Sequence, residues 1–112
     1  MGTATEHLVV FITAQSEDEA SKIARTLVER RLAACVNSIQ DVRSLYWWQG
    51  SIESAHETLL IIKTRASLLS ELIEAVKKEH SYSVPEIIAL PIIGGDADYL
   101  HWLESETSQK RT

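Results

Sequence analysis

Hydrophobic positions along this chain switch repeatedly between the period of a strand and that of a helix. Leu8-Val9-Val10-Phe11-Ile12-Thr13 is a continuous apolar run, which predicts a central strand covered on both faces. Ser16-Glu17-Asp18-Glu19 is a capping box, with acids in the first turn where the helix dipole favours them. Ala20, Ile23, Ala24, Leu27 and Val28 then recur at helical spacing, and Arg30-Arg31 closes the helix with positive charge. Two long strands follow, Cys35 to Trp48 and Ile52 to Thr64, joined by a tight turn at Gln49-Gly50-Ser51 in which Gly50 supplies a positive φ. The return strand is mostly polar from Glu53 to Thr58 and apolar on both faces over Leu59-Leu60-Ile61-Ile62, so its second half lies inside the sheet.

Ser67 is placed to cap a second helix with the stripe Leu69, Leu72, Ile73 and Val76, ending at Lys77-Lys78-Glu79-His80. Pro85 forces Val84 out of helical geometry and makes Ser81 to Pro85 a loop. Glu86 to Leu90 is a fourth strand, and Pro91 places it at an edge or marks its end. After Gly94-Gly95, Asp96 caps a short helix carrying Tyr99, Leu100, Trp102 and Leu103. Residues 7–104 form one domain, with 1–6 a flexible lead and 105–112 a polar tail. The order β-α-β-β-α-β plus a terminal helix is an α+β, ferredoxin-like plan.

Two features ask for a second copy of the chain. A strand of about thirteen residues at ~3.3 Å each spans roughly 43 Å. A compact chain of this length has a radius of gyration near ~13 Å, hence a diameter of about 34 Å. The hairpin therefore outgrows its own domain, and its Tyr46-Trp47-Trp48 tip needs cover. In the ferredoxin-like plan both helices lie on one sheet face, yet two strands are apolar on both. A homo-oligomer with sheet faces turned inward resolves both features.

Composition narrows the function classes. A net charge of −5 argues against a nucleic-acid partner, which would demand a basic face. No apolar run reaches the ~20 residues that span a bilayer, so no membrane insertion is expected. Met1-Gly2 is not read as a myristoylation signal, because Glu6 stands where Ser or Thr is wanted. The single cysteine fits a reducing compartment, and the expected location is cytoplasmic. No CxxC, HExxH, GxSxG, P-loop or GxGxxG occurs, so an enzyme is not expected. An acylphosphatase-like reading fails because Ala14-Gln15-Ser16-Glu17 is acidic and lacks the Arg that a phosphate loop needs.

Candidate chemistry must then be assembled from scattered groups. Cys35 reads as a packing group or a thiol ligand, and His80 as a helix-end cap or a metal ligand with Glu79 or Cys35. His7, His56 and His101 share no ligand spacing and read as surface groups. Glu57 and Lys63 share a strand face, and Lys63 is expected to pair with Glu57 or Glu86. Tyr46, Trp48, Tyr99 and Trp102 read as interface and core aromatics.

Four blocks, in order and with similar gaps over about residues 7 to 104, resemble the CutA divalent-cation tolerance family. They are Ala33-Ala34-Cys35-Val36-Asn37, Ser44 to Gly50, His80 to Ile87, and Gly95 to Leu103. The resemblance implies a ferredoxin-like homotrimer with hairpins crossing between subunits, tolerance to copper and other divalent metals, and no defining enzymatic activity. It implies an intersubunit cleft at Cys35, Tyr46, Trp48, Glu57, Lys63, Tyr82, Glu86 and Tyr99. It also implies Cu2+ or another divalent metal at His80, with Glu79 and Cys35 completing the candidate set. Ser81 replaces the proline that follows the family's histidine, while Ile12 and Glu79 stand where some members carry Cys and a second His. The alternative is a PII-like trimeric sensor binding a small anionic effector in the cleft beside Lys63.

Overall fold

The apolar run near the start of the chain forms β1 (His7–Ala14) in a computed structural model that describes residues 6–108. β1 pairs antiparallel with β3 (Ser51–Arg65) on one side and with β4 (Ile87–Pro91) on the other. β2 (Cys35–Trp48) pairs antiparallel with β3, so the sheet order is β2-β3-β1-β4. α1 (Glu17–Glu29), α2 (Leu69–Glu79) and α3 (Ala97–Thr107) complete the ferredoxin-like α+β fold. β4 lies at an edge, where Pro91 costs the sheet no ladder bond.

One sheet face is closed. Val10, Ile12, Leu60 and Ile62 are buried against Ala20, Ile23 and Leu27 of α1 and Leu72 and Val76 of α2. The other face stays open over most of its area. Val9, Phe11, Leu59 and Ile61 are half-buried, while Ile39, Ile88 and Leu90 are about half exposed at 47%, 51% and 49%. α3 reaches only one end of the fold. There Glu104 meets the His7 Nε2 at 2.8 Å, Glu106 accepts from Arg31 at 2.6 Å, and Leu103 is buried. The double cover expected for β1 is thus supplied on one face by this chain alone.

Several local expectations shift for identifiable reasons. The hairpin turn uses only Gln49 (φ 50) and Gly50 (φ 85), so β3 resumes at Ser51, paired with Trp48. Ser67 does not cap α2: residues 66–68 form a 3-10 turn, and α2 begins at Leu69 with no side-chain cap. α1 ends at Glu29, and Arg31 (φ 60) bonds Glu106 instead of closing the helix. His7 is not a free surface group but is held by Glu104. α3 continues to Thr107, whose hydroxyl donates to the Leu103 carbonyl, so the tail expected from Ser105 starts later. Residues 1–5 and 109–112, most of the expected lead and tail, lie outside the described residues.

The hairpin gives the molecule extents of 43 × 32 × 22 Å, as the strand lengths require. It is not a regular ribbon. Ile39 pairs with Leu59 but the next partners are Val42 and Glu57, and Asp41 has φ 58. This bulge puts two residues of β2 opposite one of β3 and resets the alternation of side chains. Cys35, Asn37 and Ile39 share the open face with Lys63, Ile61 and Leu59. Beyond the bulge Val42, Ser44, Tyr46 and Trp48 take that face instead.

Candidate functional site

The site is built around Glu57, a carboxylate only 7% exposed on the open face of β3. A buried charge needs donors. Ser44 Oγ, brought to the same face by the bulge, donates to one carboxylate oxygen, and the Tyr82 hydroxyl donates to the other at 2.9 Å. Tyr82 is held in turn by His80. The Tyr82 backbone N–H donates to His80 Nδ1 at 3.1 Å, and His80 Nε2 donates to the Thr13 carbonyl at 2.7 Å. Their rings pack tilted, centroids 4.9 Å apart. The Ser81 N–H donates to Glu19 Oε2 at 3.2 Å, which ties the loop to α1.

Burial, and then the Glu57 hydrogen bond and charge, push the Tyr82 phenol above the usual tyrosine range. Tyr82 therefore remains a neutral donor through neutral pH and well into the alkaline range. The folded-state value lies above the unfolded one, so the linked stability is fully present below about pH 10 and falls as pH climbs toward the folded value. An ultraviolet phenolate titration should show Tyr82 ionising last of the three tyrosines. That late phase should vanish in Tyr82→Phe, together with about 2 kcal/mol of unfolding free energy at neutral pH. Unchanged titration curves in Tyr82→Phe would refute the assignment.

Beside this network a cavity of about 580 Å³ opens along the projecting hairpin, from Glu57 out to Trp48 near the turn. Tyr46, Trp48, Glu57, Tyr82 and Glu86 line it, with Ser44. These include five of the eight residues expected in the cleft. The other three gather elsewhere on the open face. Cys35 is registered with Lys63, Lys63 donates to Asn37 Oδ1, and the Cys35 thiol lies 3.8 Å from the same oxygen. Tyr99 joins them, its phenol raised by burial and then by Cys35. Glu57 and Lys63 do share a face, but six residues along a strand separate them by roughly 20 Å. The expected ion pair therefore does not form within one protomer, nor does Lys63 reach Glu86.

The proposed metal ligands are also dispersed. Both His80 nitrogens are engaged and its side chain is fully shielded, leaving no lone pair to offer a cation. Glu79 turns toward α1 and accepts from the Thr26 hydroxyl at 2.8 Å. Cys35 is a half-buried free thiol in the Lys63 group. Sequence reasoning missed Ser44, Thr13 and Asn37. Ser44 and Asn37 each stand two positions from a candidate, in register with it, and that spacing was the available signal. Thr13 acts through its carbonyl, for which sequence carries none.

Fold and site together define a ferredoxin-like protomer with an overlong hairpin, an open apolar sheet face and an aromatic, acidic pocket. Residues 8–106 match the family described as CutA1 divalent ion tolerance protein, and the chain belongs to that family. It is 50% identical over 99 residues to the divalent-cation tolerance protein CutA of Thermus thermophilus, covering 88% of this chain and 96% of that one. It is 45% identical over 107 residues to a rice protein named "Protein CutA 1, chloroplastic", covering 96% of this chain and 60% of that one. The chain also spans only 55% of the length of the chloroplastic CutA of Arabidopsis thaliana.

Solved structures agree. A Thermus thermophilus CutA1 structure superposes with a TM-score of 0.89 at 48% identity, over 90% of this chain and 98% of that one. One from Archaeoglobus fulgidus, described as periplasmic, gives 0.88 at 42% identity over 90% and 98%. The names of these relatives thus span more than one compartment. The family description names divalent ions. Among the described residues, no three His, Cys, Asp or Glu side chains converge as a metal centre requires. The residues do not fit a resident metal.

Proposed function

We propose that the chain is a non-catalytic, homotrimeric divalent-cation tolerance protein that takes part in the response to copper and other heavy-metal ions. The observation carrying this reading is the open sheet face, with Phe11, Leu59 and Ile61 at its centre and Ile39, Ile88 and Leu90 around them. Tyr46 and Trp48 continue it along the hairpin, 41% and 44% exposed. Apolar area of this extent is removed from water by a symmetric neighbour. In such an assembly the two half-sites, Glu57 with Tyr82 and Lys63 with Cys35, would come from different copies and form the cleft. We place the protein in the cytoplasm, where the single half-buried thiol of Cys35 stays reduced.

Coordination by His80, Glu79 and Cys35 has no support in the geometry. The role in metal tolerance therefore belongs to the assembled protein rather than to a metal centre of the protomer. Sedimentation equilibrium should give a mass three times that of one chain, and a single-chain mass would overturn the proposal. Calorimetric titration with Cu2+ should yield the same heat for the natural chain and for His80→Ala. A heat lost on that substitution would restore His80 as a ligand.

A further inference from the structure

The pocket along the hairpin carries a chemistry that the metal-tolerance reading does not use. Among the described residues, those that line it with a charge are both acidic, Glu57 and Glu86, and no Lys, Arg or His lines it. Three aromatic side chains, Tyr46, Trp48 and Tyr82, surround those carboxylates. Ser44 and Tyr82 hold Glu57 in place, each taking one lone pair of a different oxygen, which leaves each oxygen a second to share. A buried carboxylate with lone pairs to spare, lining an aromatic cavity, is matched by a cation that is also a donor and has an apolar body. Alkylammonium ions have that character: the N–H groups reach carboxylate, and the charge is attracted to aromatic faces. A divalent metal stripped of its water would demand more oxygen ligands than two carboxylates supply, and a hydrated one presents no apolar body to the aromatic walls. An anion would meet only repulsion, and the chain's net charge of −5 adds to it at long range.

From this geometry we infer that the pocket is a receptor for an organic ammonium group. The inference deepens the site reading above: the ammonium preference rests on the pocket alone, and only the second of its two sources rests on the proposed assembly. Two sources present this chemistry. One is a small free alkylamine. The other is the Lys63 ammonium of a neighbouring copy, since Lys63 stands on the open face that an assembly would cover.

Butylammonium, butanol and butyrate share one alkyl body and differ in charge, so calorimetric titration with the three decides the matter. A free-amine site binds butylammonium best and butyrate least, and Trp48→Ala or Glu86→Gln each weakens butylammonium about tenfold. Both residues are exposed in the protomer, so neither substitution threatens folding. A site filled by a neighbour's lysine binds no butylammonium in the natural chain but acquires that same charge preference in Lys63→Met. Absence of binding in both proteins overturns the inference. So does butanol or butyrate binding as tightly as butylammonium. Sedimentation of the same samples reads the oligomeric state separately, so a failed trimer and a failed ammonium site are distinguishable.

Discussion

Phe11→Asp should leave the chain folded and abolish the proposed assembly. Phe11 lies at the centre of the open face, between Ile61 on β3 and Ile88 on β4, and is half-buried in one copy. Its replacement costs the protomer little because its surroundings already admit water. In a closed trimer every copy would place an unpaired carboxylate in an apolar interface. Each such burial costs several kcal/mol. Assembly should weaken by at least about a thousandfold, a change on the order of 4 kcal/mol. Sedimentation velocity across a dilution series reads this as a shift to single chains, while circular dichroism should retain the strand and helix signal. An unchanged trimer would place the interface elsewhere, and the open face would then need another explanation.

His80→Ala should be the most damaging single substitution at the site. It strips the Thr13 carbonyl of its donor and the Tyr82 N–H of its acceptor, both in a shielded position. Two unsatisfied backbone groups and the cavity left by the ring amount to roughly 3 kcal/mol. Urea unfolding at fixed protein concentration measures the loss, since the proposed assembly would make the midpoint concentration-dependent. Glu57 would also lose the orientation of its Tyr82 donor, so the late tyrosine ionisation should move toward the ordinary range. His80→Gln, which retains a donor and an acceptor on a shorter reach, should recover part of the stability. A loss below about 1 kcal/mol, the worth of a single ordinary hydrogen bond, would mean that His80 does not organise this loop.

His80 also illustrates where local reading stops. Its position at the end of a helix suggested a dipole cap or a metal ligand, both of which use the ring facing outward. In the fold it faces inward and bridges β1 to the loop that carries Tyr82. The decisive partner is a main-chain carbonyl 67 residues earlier, and side-chain identity carries no trace of it. Glu57 and Lys63 show the complementary case. Strand parity correctly set them on one face, but parity says nothing of the distance along the strand. That distance separates them into two clusters.

The hairpin was legible because its signals are local: aromatic and β-branched residues dominate its ends, and Gly50 supplies a positive φ at the turn. Its length against the size of the domain also foretold the elongated shape and the bare face. The bulge at residues 40 and 41 was not legible, since nothing in Gln40-Asp41 distinguishes a bulge from continued pairing. Yet that single extra residue decides whether Ser44, Tyr46 and Trp48 stand with Glu57 or on the opposite face.

Periodicity by itself determined the elements, their order and the two-faced apolarity, because those depend on neighbours three or four residues away. Tertiary structure alone decided the company of Glu57 and the inward turn of His80. Both are fixed by strand register and loop path, through hydrogen bonds between residues distant in the chain.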